Sequence, residues 1–286
     1  MRHPAVEGAI AEMETTTSRR EFLTLLASGV LLAAGFSACA GSPGEGSGQK
    51  LQPIIVGCDD YEPYGYIEAS GDFSGIDVEL ATEAFHRIGY EPQFQTILWE
   101  DKDELLNSGA VDCLWSCFTM TGREDRYQWA GPYLYSCHVV VVRADSDIRT
   151  LADLADRRVG VQATTKPETV FLEHTDPRVP QVKQVYSCST IADLQALLRK
   201  GYVDAIASHQ ESMQMLVEGS KGLYRMLDES LYLAQLGVAF QKGAHKELAQ
   251  QLTDTLQAMK QDGTIDRIVE KYGLDPQEAV WGGNKS

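Results

Sequence analysis

The residues best suited to do chemistry lie in one stretch, DCLWSCFTMTGREDRYQWAGPY, running from Asp112 to Tyr133. A short apolar run breaks into small hydroxyl residues, turns over Gly122, presents Arg123 behind Thr119 and Thr121, and ends in an aromatic–Gly–Pro–Tyr bend at Trp129–Tyr133. A guanidinium offers a planar fork of N–H donors that matches a carboxylate, and nearby hydroxyls can complete the anion's hydrogen bonds. That chemistry is non-covalent capture of a small acid. A solvated arginine on a surface loop would look the same in isolation, so other stretches have to decide. One is Thr164-Thr165, just before Lys166-Pro167-Glu168. Proline fits the first helical turn, and hydroxyls beside a helix N-terminus make an anion site. A plain threonine cap reads equally well there.

Other chemistries leave little trace. No Gly-rich nucleotide loop and no HExxH pattern stands out. Cys113-x3-Cys117 has no second ligand pair nearby and makes a poor zinc signal. We expect no catalytic residues, no metal and no cofactor. The net charge of −16, without a basic block, argues against a nucleic-acid partner. With 286 residues, 43% of them hydrophobic, the chain is long enough for two lobes with a sizeable core.

The elements that must carry these residues read as alternating strands and helices. Pro53–Gly57 is an apolar strand that stops at a loop of acids and aromatics, Asp59-Asp60-Tyr61-Glu62-Pro63-Tyr64. Strand ends of this kind form the ligand crevice of open α/β sheets. A helix follows over Ile76–Ile88, a strand over Phe94–Leu98 and a short helix over Asp101–Ser108. Val139–Arg143, Arg158–Gln162, Ala205–Ala207 and Leu236–Gln241 are further strands, and helical spacing returns towards the C-terminus. The segment Leu105–Asp112 matches Leu197–Asp204 as LLxxGxVD at an offset of 92, which still aligns Ser116 with Ser208. Each glycine is placed to end a helix in the left-handed conformation, and each aspartate to cap the turn into its own strand. Two copies of one unit point to two similar lobes.

Residues 1–38 carry an address instead of a fold. Ser18-Arg19-Arg20-Glu21-Phe22-Leu23 resembles a twin-arginine export motif. The apolar run to Phe36 is too short to span ~30 Å of hydrocarbon and suits a signal peptide. Phe36-Ser37-Ala38-Cys39 resembles a bacterial lipobox with phenylalanine where leucine is usual, and implies lipidation of Cys39. Residues 39–50, rich in Gly and Ser, read as a tether.

In this order the marks resemble a family 3 extracellular solute-binding protein, the polar-amino-acid receptors of ABC importers. They are Val56-Gly57-x-Asp59 with Tyr61 and Pro63, Gly75-Ile76-Asp77-Val78, Trp99 and LLxxGxVD. Thr119-x-Thr121 with Arg123, Trp129–Tyr133, Val159–Gln162 and Asp262-Gly263-Thr264 continue the pattern. The resemblance implies a type II periplasmic-binding-protein fold, two α/β lobes joined by two crossover strands. Lobe 1 would comprise 51–136 and 237–286, and lobe 2 would comprise 137–236. It implies that Arg123 grips the ligand's α-carboxylate, helped by Thr119, the backbone at Ser116–Cys117, Thr164 and Thr165. Tyr61 would stack on the ligand, Trp99 would touch its side chain, and Asp59 or Asp60 would meet the side chain or ammonium. The implied partners are a small carboxylate ligand, an ABC permease and, through the lipid, the outer face of the cell membrane, with the chain a monomer. An enzyme of dehydratase type on the same fold, or a sensing module without transport, are the alternatives.

Three departures from the pattern stand out. Thr121 and Arg123 are one residue closer than the family's Thr-x-x-Arg, although Arg123 keeps its six-residue distance to Trp129. Ala163 stands where glycine is usual. The aspartate that takes the ammonium in the family falls at His209. A neutral imidazole accepts one hydrogen bond, whereas a protonated one repels an ammonium. Cys58 and Cys117 fall at the ends of strands expected to be neighbours, where an exported protein permits a disulfide if the geometry allows.

Overall fold

The computed structural model describes residues 50–280. The export motif, Cys39 and the tether up to residue 49 lie outside them. The first lobe opens with β1 (Gln52–Cys58), a small hairpin of β2 (Tyr66–Ile67) and β3 (Phe73–Ser74), and α1 (Ile76–Arg87). β4 (Tyr90–Thr96), α2 (Lys102–Ser108) and β5 (Cys113–Leu114) follow, and β6 (Gln128–Arg143) leads out. The second lobe runs β7 (Arg158–Gln162), α3 (Lys166–Glu173), β8 (Gln184–Cys188), α4 (Ile191–Arg199), β9 (Ala205–His209), α5 (Gln210–Gly219) and β10 (Tyr224–Met226). β11 (Tyr232–Phe240) returns the chain to α6 (Lys246–Gln261), α7 (Thr264–Lys271) and α8 (Pro276–Ala279).

One sheet spans both lobes in the order β4-β1-β5-β11-β6-β9-β7-β8, with β10 on β6. Each lobe contributes a parallel trio, β4-β1-β5 and β9-β7-β8, and antiparallel β11 and β6 join the two. Parallel strands are covered on both faces, which explains why β1 and β9 are nearly continuous apolar runs. The helical spacing of α1 buries Ile76, Leu80, Ala84 and Phe85 against that sheet.

The repeat is real in three dimensions. α2 and α4 are each followed by a glycine at positive φ, Gly109 at 74° and Gly201 at 73°. The two aspartates, however, do not cap their own turns. Asp112 Oδ2 accepts a hydrogen bond from the Ile55 backbone N–H at 2.7 Å, and the Asp112 N–H donates to the Ile55 carbonyl at 2.9 Å. Asp204 does the same to Arg158, accepting at 2.8 Å and donating at 2.8 Å, and adds a fork to the Arg158 guanidinium. Each carboxylate thus sews its strand to the next parallel one.

Other expectations need correction. The strand at Val139–Arg143 is the end of β6, whose 16 residues run straight through the expected bend at Trp129–Tyr133. Gly131-Pro132-Tyr133 stand opposite Gly237 alone, a bulge where proline's missing N–H costs the ladder nothing. Trp99–Asp101 is a 3₁₀ turn ahead of α2, and Leu151–Leu154 is a 3₁₀ turn closed by a Thr150/Asp153 capping box. Cys58 and Cys117 are not bonded to each other: Cys58, Cys113, Cys117, Cys137 and Cys188 are all buried and form no disulfide with one another.

Candidate functional site

Two pairs of parallel strands, β1 with β5 and β7 with β9, aim their carboxyl ends at one small cavity between the lobes. β1 delivers Asp59 and Tyr61, β5 delivers Ser116 and Cys117, β7 delivers Gln162, and β9 delivers Ser208 and His209. Of the residues expected from sequence, Asp59, Tyr61, Trp99, Cys117, Thr119, Arg123, Thr165 and His209 all line it. Thr164 stands just behind, and its carbonyl accepts from Arg123 Nη2 at 3.2 Å. Thr121 does not reach the cavity. Its hydroxyl accepts from the Gln235 N–H at 3.0 Å and its carbonyl accepts from Tyr232, so it fastens the loop to β11.

The shortened Thr–Arg spacing is absorbed by a turn. The Arg123 N–H donates to the Met120 carbonyl at 2.9 Å, and Gly122 takes φ 76° between them. The six-residue distance to Trp129 has a direct cause: the indole N–H donates to the Arg123 carbonyl at 3.0 Å. The guanidinium lies 5.5 Å from the Phe118 ring and donates to the Thr119 carbonyl at 3.4 Å. Arg123 is 6% exposed and, among the described residues, has no carboxylate within salt-bridge distance. Burial holds its pKa below the usual arginine value. From the far side Asp77 on α1 accepts the Cys117 N–H at 2.6 Å, fixing the β5 loop beneath the cavity. Burial pushes that carboxyl up to about 7.

Direct contacts bridge the lobes. Gln162 Nε2 donates to Asp59 Oδ2 at 2.5 Å, and Asp59 Oδ1 accepts the Asp60 N–H at 2.9 Å. Burial raises the Asp59 pKa to about 6 against the opposing pull of Gln162. The Tyr61 hydroxyl pairs with Ser208 and accepts the His209 N–H at 3.3 Å. Lys102 Nζ donates to Thr164 Oγ1 at 2.7 Å beside the Trp99 ring, and burial brings its pKa down to about 8. Thr165 occupies the cap position of α3, yet its hydroxyl donates to the Gln162 carbonyl at 2.6 Å.

His209 is both a lining residue and a satisfied one. Its Nδ1 lies 3.0 Å from Ser136 Oγ, which is 2.5 Å from Glu211 Oε2. Burial, with the Arg123 charge adding to it, lowers His209 to about 3, so the ring is neutral. Its centroid is 4.1 Å from that of His138, a neighbour across β6 and β9 whose pKa burial also drives down. His138, Gln162, Lys166, Ser208 and Phe118 line the cavity and were not singled out from sequence. For His138 the only signal was its place at the start of an apolar strand. Lys166 read as a helix start.

A model of the bacterial extracellular solute-binding proteins, family 3, matches residues 54–275. The L-cystine-binding protein TcyA of Bacillus subtilis is 27% identical over 231 residues, 78% of this chain and 82% of that one. The arginine-binding extracellular protein ArtP of the same organism is 26% identical over 266 residues, 88% of this chain and 98% of that one. Among solved structures, an ancestral arginine-binding protein bound to arginine superposes with a TM-score of 0.71 at 25% identity. That alignment covers 78% of this chain and 99% of that one, and the shared architecture is the type II periplasmic-binding-protein fold.

Proposed function

Because this chain belongs to the bacterial extracellular solute-binding proteins, family 3, we propose that it captures a small carboxylate between its lobes and presents it to an ABC permease. The characterised relatives are binding proteins, for cystine, arginine and histidine. The observation that carries the reading is Arg123, buried at the cavity wall with no carboxylate of the described chain to neutralise it. A buried charge left unpaired is costly, so a carboxylate ligand supplies the missing partner. Thr119, Thr164, Thr165 and the Cys117 backbone surround that partner, Tyr61 and Trp99 wall the ligand, and Asp59 and His209 face its other end. The lobes divide at 136/137 and 236/237, inside β6 and β11, and close as ligand contacts favour the closed population. A lipid on Cys39 would hold the chain at the outer face of the membrane.

Calorimetry with a panel of amino acids and organic acids tests this. Arg123→Ala should weaken the cognate acid at least ~100-fold, the scale for truncating a buried charged partner, without loss of fold. Normal binding by that variant would remove Arg123 from the site.

A further inference from the structure

We propose that the cavity takes a small dicarboxylate that carries no ammonium group, a reading that rests on the carboxylate capture proposed above. The charges on the wall point there. Two cations line the cavity, Arg123 and Lys166. Lys166 lies along the arginine loop, its Nζ 5.2 Å from the Tyr232 ring centroid and 2.8 Å from where a Cβ on Gly122 would stand. A third cation, Lys102, sits directly behind Thr164. Against them the described lining holds one carboxylate, Asp59.

That carboxylate is already engaged at both oxygens, by the Gln162 amide and the Asp60 N–H. Burial also favours its neutral form. The opposite wall gives an ammonium nothing better. The Tyr61 hydroxyl is shared between Ser208 and the His209 N–H. The His209 Nδ1 is engaged by Ser136 at 3.0 Å, and its ring carries no negative charge to offer. Glu211 stands beyond Ser136 and is not part of the cavity wall. An ammonium would therefore enter a pocket whose two lining cations already outnumber its one carboxylate, whereas two carboxylates would balance Arg123 and Lys166.

The test uses matched acids on the exported chain by titration calorimetry: L-aspartate against L-malate and succinate, and L-glutamate against 2-oxoglutarate. L-Arginine, L-histidine and L-cystine are included as ammonium-bearing controls. The expected result is that a deaminated diacid binds at least 10-fold more tightly than its amino counterpart. His209→Asp should reverse that order. Lys166→Gln, a conservative change at the mouth of the cavity, should cost a diacid about 10-fold and leave L-lactate or propionate unchanged. Tighter binding of any amino acid than of every deaminated acid overturns this proposal and leaves carboxylate capture standing. An equal loss of mono- and diacids in Lys166→Gln overturns the two-carboxylate assignment. Failure of every acid to bind the unmodified chain overturns the capture reading itself and this proposal with it.

Discussion

Asp59→Asn isolates the electrostatics of the cavity. Burial raises the Asp59 carboxyl from 3.8 to about 6 in the folded chain. Between those values the folded state holds a proton that the unfolded chain has released, so stability falls as pH rises through the window. One pKa unit corresponds to a tenfold population change, so the extra stability is roughly 1–2 kcal/mol at pH 5 and has gone by pH 8. Asparagine cannot ionise and does not lose it. It gives up part of the hydrogen bonding to Gln162 or Asp60, a cost of about 1 kcal/mol that does not vary with pH. His209, with its pKa lowered to about 3, acts in the opposite direction, since the unfolded chain binds its proton first as pH falls. That contribution is common to both proteins and cancels in the comparison. Urea unfolding of each, without ligand, at pH 5 and pH 8 gives the readout. The stability of Asp59→Asn relative to the parent should rise by roughly 1–2 kcal/mol between the two. A difference that stays constant would place Asp59 in the ordinary carboxylate range and would refute its desolvation in the cavity wall.

Further outcomes follow from single contacts. Asp112→Ala strips the acceptor from the Ile55 N–H, and Asp204→Ala strips it from Arg158; each should cost about 1–3 kcal/mol in thermal unfolding while leaving the other lobe's sheet intact. Trp129→Phe keeps the ring beside Phe118 but removes the donor to the Arg123 carbonyl, so ligand affinity should fall about five-fold, a loss of about 1 kcal/mol by calorimetry. Gly122→Ala places a Cβ at φ 76°, 2.8 Å from Lys166 Nζ; it should destabilise by about 1–2 kcal/mol and weaken ligand binding, with melting temperature and calorimetry as the measures.

The local grammar of this chain is legible because it is local. The apolar runs of β1 and β7, the spacing of α1 and the glycines after α2 and α4 depend on neighbours in sequence, and they stand where they were expected. Arg123 was legible for the same reason, since the turn, Thr119 and Trp129 that hold it lie within a few residues. What escaped were residues whose role exists only between lobes. Gln162 reads as the last residue of a strand until Asp59 arrives from 103 positions away. Lys166 reads as a helix start until the arginine loop is folded beside it. The Asp of the repeat was read as a cap because the parallel neighbour it grips is distant in the chain. Trp129–Tyr133 reads as a bend because a bulge inside a strand and a turn carry the same glycine and proline.

β6 hands its partner over at one residue: His138 sits opposite Tyr232 of β11 on one side and His209 of β9 on the other. Among the described residues, paired strands and not loops therefore join the halves. The molecule has a torsion bar, two paired strands that must absorb any swing of one half as twist. The carboxylates of Asp112 and Asp204 tie the parallel trios on either side of it. His138 sits at the end of the β6–β11 pairing, with His209 beside it on β9. A swing of the halves would turn these two rings against each other, so an aromatic or NMR signal at that pair would act as a strain gauge for opening and closing.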